Sequence, residues 1–134
     1  MPDRTFTAVE AQALLDDVIR PLAERLVELH AEVVPLQVQW RRIVMAVGGN
    51  GGGIDHERAA GLREALETAQ AEAAALVEEI TGHGVQVKDP GQGLLDFPTV
   101  IDGEPALLCW LVGEERIAYW HSPEDGFAGR KPLS

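Results

Sequence analysis

The chain is poor in several things. It has one cysteine, seven aromatic residues (three Trp, three Phe, one Tyr) and half as many basic residues as acidic ones, 11 against 22, in 134 residues. A single cysteine excludes an internal disulfide framework and fits a reducing compartment. A net charge of −11 and a pI near 4.6 oppose binding to nucleic-acid phosphates or anionic lipid. Arg41–Arg42 and Arg130–Lys131 are only pairs, so no basic patch overrides this. No apolar run approaches the roughly 20 residues needed to span a bilayer. The start, Met1-Pro2-Asp3-Arg4, carries no apolar signal region, so the expected location is the cytoplasm. Neither nucleic acid nor membrane is expected as a partner.

Hydrophobic rhythm is plentiful. Leu15, Ile19, Leu22, Leu26, Leu29, Val33, Leu36, Trp40, Ile43 and Val47 follow alternating steps of four and three. That is a seven-residue repeat with two apolar seats, the pattern of a coiled-coil seam. Thr7-Ala8-Val9-Glu10 reads as a capping box, and Gly48-Gly49 as the end of the helix. A second seam runs through Leu62, Leu66, Ala69, Ala73, Leu76 and Ile80, with Asp55 as its N-cap and Gly82 as its stop. The linker "GGNGGGID" lacks both the preceding strand and the Lys-Ser/Thr of a phosphate-binding loop, so it reads as a plain connection. The two helices should pack antiparallel.

Their lengths differ. At 1.5 Å per residue the first spans about 60 Å and the second about 39 Å. About 20 Å of the first seam, around Leu14 to Leu22, therefore overhangs. Either the C-terminal part of the chain or a second copy must cover it. A homodimer through the N-terminal helix is the favoured answer. Pro21 and Pro35 each predict a kink, with Pro21 the truer break, able to let residues 8–20 fold back.

After Gly82 the period becomes two. Candidate strands are 84–89, 94–100, 105–112 and 116–121, with turns at Pro90–Gly93, Asp102-Gly103 and Gly113-Glu114-Glu115. Pro98 confines its strand to an edge or an irregular position. Alternation puts Leu108, Trp110 and Val112 on one face and Leu107, Cys109 and Leu111 on the other. Both faces are apolar enough to need cover. The expected fold is α+β: a single domain over 1–134, with a long kinked antiparallel helical hairpin (7–82) and a small antiparallel sheet of three to four strands plus a tail (83–134).

The boxes Gly93–Pro98 ("GLLDFP"), Leu108–Glu114 ("LCWLVGE"), Ile117–His121 ("IAYWH") and Gly126–Arg130 ("GFAGR"), with the opening "FTAVEAQALL", closely resemble a bacterial family catalogued as domain of unknown function 2203. Leu111 stands where a polar residue is more usual in that pattern. The resemblance implies an architecture and a shared set of residues but no reaction.

Several chemistries can be weighed. A di-iron bundle needs Glu-x-x-His on facing helices; His30 follows Glu28 by two, so it reads as a surface residue. Cys109 and His121, with Asp96, Glu114 or His83, form a chemically reasonable zinc set, although their spacing matches no zinc signature and a buried structural cysteine is the commoner outcome. A Cys109–histidine nucleophilic pair would be silenced by desolvation in so apolar a strand. What remains is a polar rim on an aromatic floor: Asp96, Trp110, Glu114, Tyr119, Trp120, His121 and Arg130. Arg130 is placed to pair with Asp96 or Glu114 and close the tail over the sheet. The leading expectation is a non-enzymatic interaction or adaptor module, acting as a homodimer or on a protein partner, with no cofactor. The alternative is a metal- or small-ligand-binding protein using the face around His121.

Overall fold

The computed structural model describes residues 4–48 and 55–133. The linker at 49–54 and the first three residues, on which readings were made above, lie outside the described residues, as does the Val47 side chain. The elements are α1 (Ala8–Leu14), a π turn (Leu15–Ile19), α2 (Arg20–Gly48), α3 (His56–Gly82), and strands β1 (Gln86–Asp89), β2 (Leu94–Ile101), β3 (Glu104–Leu111), β4 (Tyr119–His121) and β5 (Lys131–Pro132). A 3-10 turn, Phe127–Gly129, precedes β5.

The predicted caps form. The Thr7 hydroxyl accepts from the Glu10 N–H (3.1 Å), and the Glu10 carboxylate accepts from the Thr7 N–H (2.9 Å). That bonding holds the Glu10 carboxyl below its ordinary range. Asp55 caps α3 by accepting from the Arg58 N–H at 3.0 Å. The helices lie antiparallel, and Arg25 donates to both Glu72 oxygens across them, at 2.7 and 3.1 Å.

Two expectations about the first helix need correction. Pro21 does not break it, and residues 8–20 do not fold back. The π turn lies immediately upstream of the proline, with the Arg20 N–H reaching the Leu15 carbonyl. The wider turn absorbs the clash that a proline ring makes with the preceding turn, so helical bonding continues. Helix α2 likewise runs on through Pro35.

The overhanging seam is covered by the sheet. Leu15 and Ile19 are fully buried, in one core cluster with Leu95, Phe97, Leu108, Trp110 and Ile117. The first half of the seam therefore needs no second copy. Further along, Val33, Leu36, Trp40 and Ile43 are only half-buried against α3.

The sheet is an antiparallel meander in the order β1-β2-β3-β4-β5, one strand beyond the expected four. The extra pairing is short: β5 lies against β4 through Tyr119↔Pro132 and Trp120↔Lys131. Asp102 and Gly103 join β2 to β3 with φ of 53° and 79°, the two positive values of a type I′ hairpin turn. Gly93 opens β2 at φ 71°, and a side chain there would strike Val112 and Val27. Pro98 sits in a central strand, yet locally at an edge. β1 pairs only as far as Asp96, and the Pro98 carbonyl accepts instead from the Phe6 N–H at 2.7 Å. In extended chain the N–H and C=O of one residue point the same way, so the missing proline N–H faces this outer side.

Candidate functional site

The period of two gives the sheet unlike faces. Leu95, Phe97, Leu108 and Trp110 point toward the helices and form the core. The alternate residues Asp96, Cys109, Tyr119 and His121 share the other face. Register then does what sequence separation hides. Asp96 pairs directly with Cys109, and Cys109 with Tyr119. His121 pairs with Leu107, two residues from Cys109 and therefore on the same face. One donor atom from each of Asp96, Cys109 and His121 lies within 4.8 Å of the others. Their exposures are 1%, 0% and 3%.

The protonation geometry of His121 is constrained. Its Nδ1 lies 2.8 Å from the Ser122 carbonyl oxygen, which can only accept, so Nδ1 carries a hydrogen and donates. Its Nε2 lies 3.0 and 3.1 Å from the two Asp96 oxygens. A ring nitrogen with a free lone pair would repel a carboxylate at that distance. Something positive must sit between them: a proton or a metal ion. A histidine that donates its other N–H to a carbonyl while aiming a lone pair at a shared centre is the usual arrangement of a metal ligand.

Cys109 is a weak acid here. Burial, helped by the Asp96 charge and opposed by Arg130, pushes its thiol up to about 12. Both nitrogens of His121 are already engaged, so neither is available to take the Cys109 proton. The trio does not form a nucleophilic Cys-His pair.

The remaining residues of the expected rim divide. Glu114 is a hub: its backbone carbonyl accepts from the Trp110 indole N–H (3.0 Å) and its carboxylate from the Leu111 N–H (2.8 Å). Arg130 donates to both Glu114 oxygens at 3.0 and 2.7 Å, and its guanidinium lies over the Tyr119 ring at 4.0 Å. Of the two partners foreseen for Arg130, Glu114 is the one found, and Asp96 goes to His121. Trp110 is fully buried on the helix face, away from the trio. Trp120 also packs toward the core, with Lys131 over its ring at 5.0 Å. Trp110 and Trp120 therefore lie on the opposite face from Asp96, Tyr119 and His121. His83 caps α3, and its carbonyl accepts from Arg4. His30 is exposed.

Sequence reasoning missed two contributors. Ser122 acts through its backbone carbonyl, which leaves no side-chain signal. Arg20 donates to the Glu114 and Glu115 carbonyls (3.3 and 2.8 Å), fixing the loop that ends β3, and lies over Trp110 at 5.4 Å. Its Asp16 partner at i−4 suggests only a surface pair.

Asp96, Cys109 and His121 come from three of the four sequence boxes, and Arg130 from the fourth meets Glu114 of the second. No curated protein and no solved structure matches the chain. A family model matches residues 4–133, nearly its whole length. The chain belongs to the family described as Uncharacterized conserved protein (DUF2203).

Proposed function

We propose that the protein binds a transition metal, Zn²⁺ by preference, through Asp96, Cys109 and His121. The observation that carries this is the buried trio within 4.8 Å, with the second nitrogen of its histidine tied to a carbonyl. Thiolate, imidazole and carboxylate are the donors zinc takes, and the mix does not suit Mg²⁺ or Ca²⁺. Ligand bonds of about 2.0–2.3 Å set donors about 3.3–3.8 Å apart in a tetrahedron, which small side-chain shifts reach from here. One carboxylate and one thiolate balance the +2 charge, so the buried site is neutral when loaded. The metal also takes the place of the thiol proton that burial otherwise holds in the metal-free protein. A cytoplasmic setting fits, since a reducing compartment keeps Cys109 available. No helix among the described residues is long and apolar enough to cross a membrane.

The test is elemental analysis of purified protein, followed by Co²⁺ substitution. About one metal per chain and a thiolate-to-cobalt absorption band are expected, both lost in Cys109→Ala and His121→Ala. A wild-type chain that takes up neither ion from micromolar solution overturns the reading.

A second reading has its own observation. Val34, Val38 and Met45 are 46%, 37% and 77% exposed at spacings of four and seven, one face of α2 turned away from its seam. An interaction module, self-associating or bound to a protein partner, would use this far half of the hairpin. Light scattering at micromolar concentration tests self-association. A two-chain mass lost in Val38→Glu supports it, and a monomer removes it.

A further inference from the structure

We infer that the C-terminal tail gates the buried trio, with the Arg130–Glu114 clamp setting how fast a metal enters and leaves; this rests on the metal-binding reading above. A sealed site must open for an ion to exchange. The core helices back the other face of the sheet, so opening there means exposing Leu15, Ile19, Phe97 and Trp110. On the trio's own face the neighbours are different. Tyr119, cross-strand partner of Cys109, lies under the Arg130 guanidinium, and the Phe127 ring flanks that group at 4.7 Å. The Glu114 carboxylate accepts from the Leu111 N–H, two residues along β3 from Cys109, and Arg130 lies over the ring of Cys109's cross-strand partner, so the clamp adjoins the trio.

The rest of the tail is lightly held. It has a three-residue 3-10 turn, the two-residue strand β5, and one bond from the Leu133 N–H to the Ala118 carbonyl. Phe127 is 43% exposed. Among the described residues the buried Arg130 Nε finds no hydrogen-bond partner, so the clamp itself is incompletely satisfied there. Segments with few buried contacts and few backbone bonds open first. Lifting residues 126–133 costs one ion pair, a stacked guanidinium, the short β4–β5 pairing and the packing of half-buried Leu133, whereas parting the sheet from the helices exposes Leu15, Ile19, Phe97 and Trp110.

The experiment loads wild-type protein with Zn²⁺ and follows its release to a chromogenic chelator in excess, with rebinding followed separately. Glu114→Gln keeps the volume and the acceptor for the Leu111 N–H but removes the charge, so it preserves the fold; circular dichroism verifies this. Glu114→Gln and Arg130→Ala are expected to release zinc about tenfold faster and to take it up faster too, with Kd little changed; Arg130→Lys should fall between. If Arg130→Ala does not fold, Glu114→Gln decides alone. Release at the wild-type rate overturns the gate and leaves metal binding standing, as does weakened affinity with an unchanged uptake rate. A wild-type protein that holds no zinc overturns both.

Discussion

The two faces of this sheet are built from alternate residues of the same strands and carry opposite chemistry. Trp110 and Cys109 are neighbours in sequence and both fully buried. One points into a core of Leu15, Ile19, Phe97 and Leu108; the other meets a carboxylate and an imidazole. The helix-side face is a stability device whose members are interchangeable in kind, since any apolar side chain of similar volume preserves the burial. The tail-side face is specific, since no apolar group can stand in for a donor atom. Damage to the first should show as lost folding free energy with ligand chemistry intact. Damage to the second should remove a ligand response and leave the fold.

The comparison can be broken in a series of measurements. The largest effect belongs to Trp110→Ala, which removes a fully buried indole and should cost about 3–5 kcal/mol in urea unfolding. Whatever fraction remains folded should still bind zinc; a selective loss of zinc would mean that the faces are not independent. Next is zinc itself. At free ion 1,000 times Kd it should add about 4 kcal/mol to wild-type stability and nothing to Cys109→Ala. An unshifted midpoint in wild type would erase the distinction between the faces. The metal-free protein should also lose stability as pH climbs from 9.0, the ordinary thiol value, toward about 12, because the folded thiol keeps its proton while the unfolded one releases it. Cys109→Ala should flatten that slope, and an equally steep slope in the variant would assign it elsewhere. The smallest effect tests a region outside both faces. Thr7→Ala should cost about 0.5–2 kcal/mol through the lost cap, without touching zinc. Because Glu10 is held below its ordinary range, the carboxylate half of this box helps above that range and fades as pH falls through the lowered value.

Much of the hairpin was legible because its determinants are local. Thr7, Glu10 and Asp55 cap helices through bonds spanning three residues, and Asp102-Gly103 makes a two-residue turn through its own dihedrals. Pro98 was legible in part: an outward-facing proline is what its chemistry demands, but only Phe6, far upstream, supplies the partner on that side. Pro21 misled, because a proline's clash can be met by widening the turn before it as well as by breaking the helix. The expected rim grouped Asp96, Glu114, Tyr119, His121 and Arg130 with Trp110 and Trp120, whereas register turns the two tryptophans to the other face. Trp110 and Trp120 belong to the other alternation class from His121, but their aromatic character outweighed their parity in that grouping.

The sequence by itself determined where helices begin and end, where the period turns from seven to two, and which side chains share a strand face. All of these depend on bonds and repeats within a few residues. Tertiary structure decided that the sheet covers the overhanging leucines, that β5 adds a fifth strand, and that positions 96, 109 and 121 converge on one buried point. Those outcomes depend on register between strands and on burial against distant elements, and neither is encoded in any short stretch of chain.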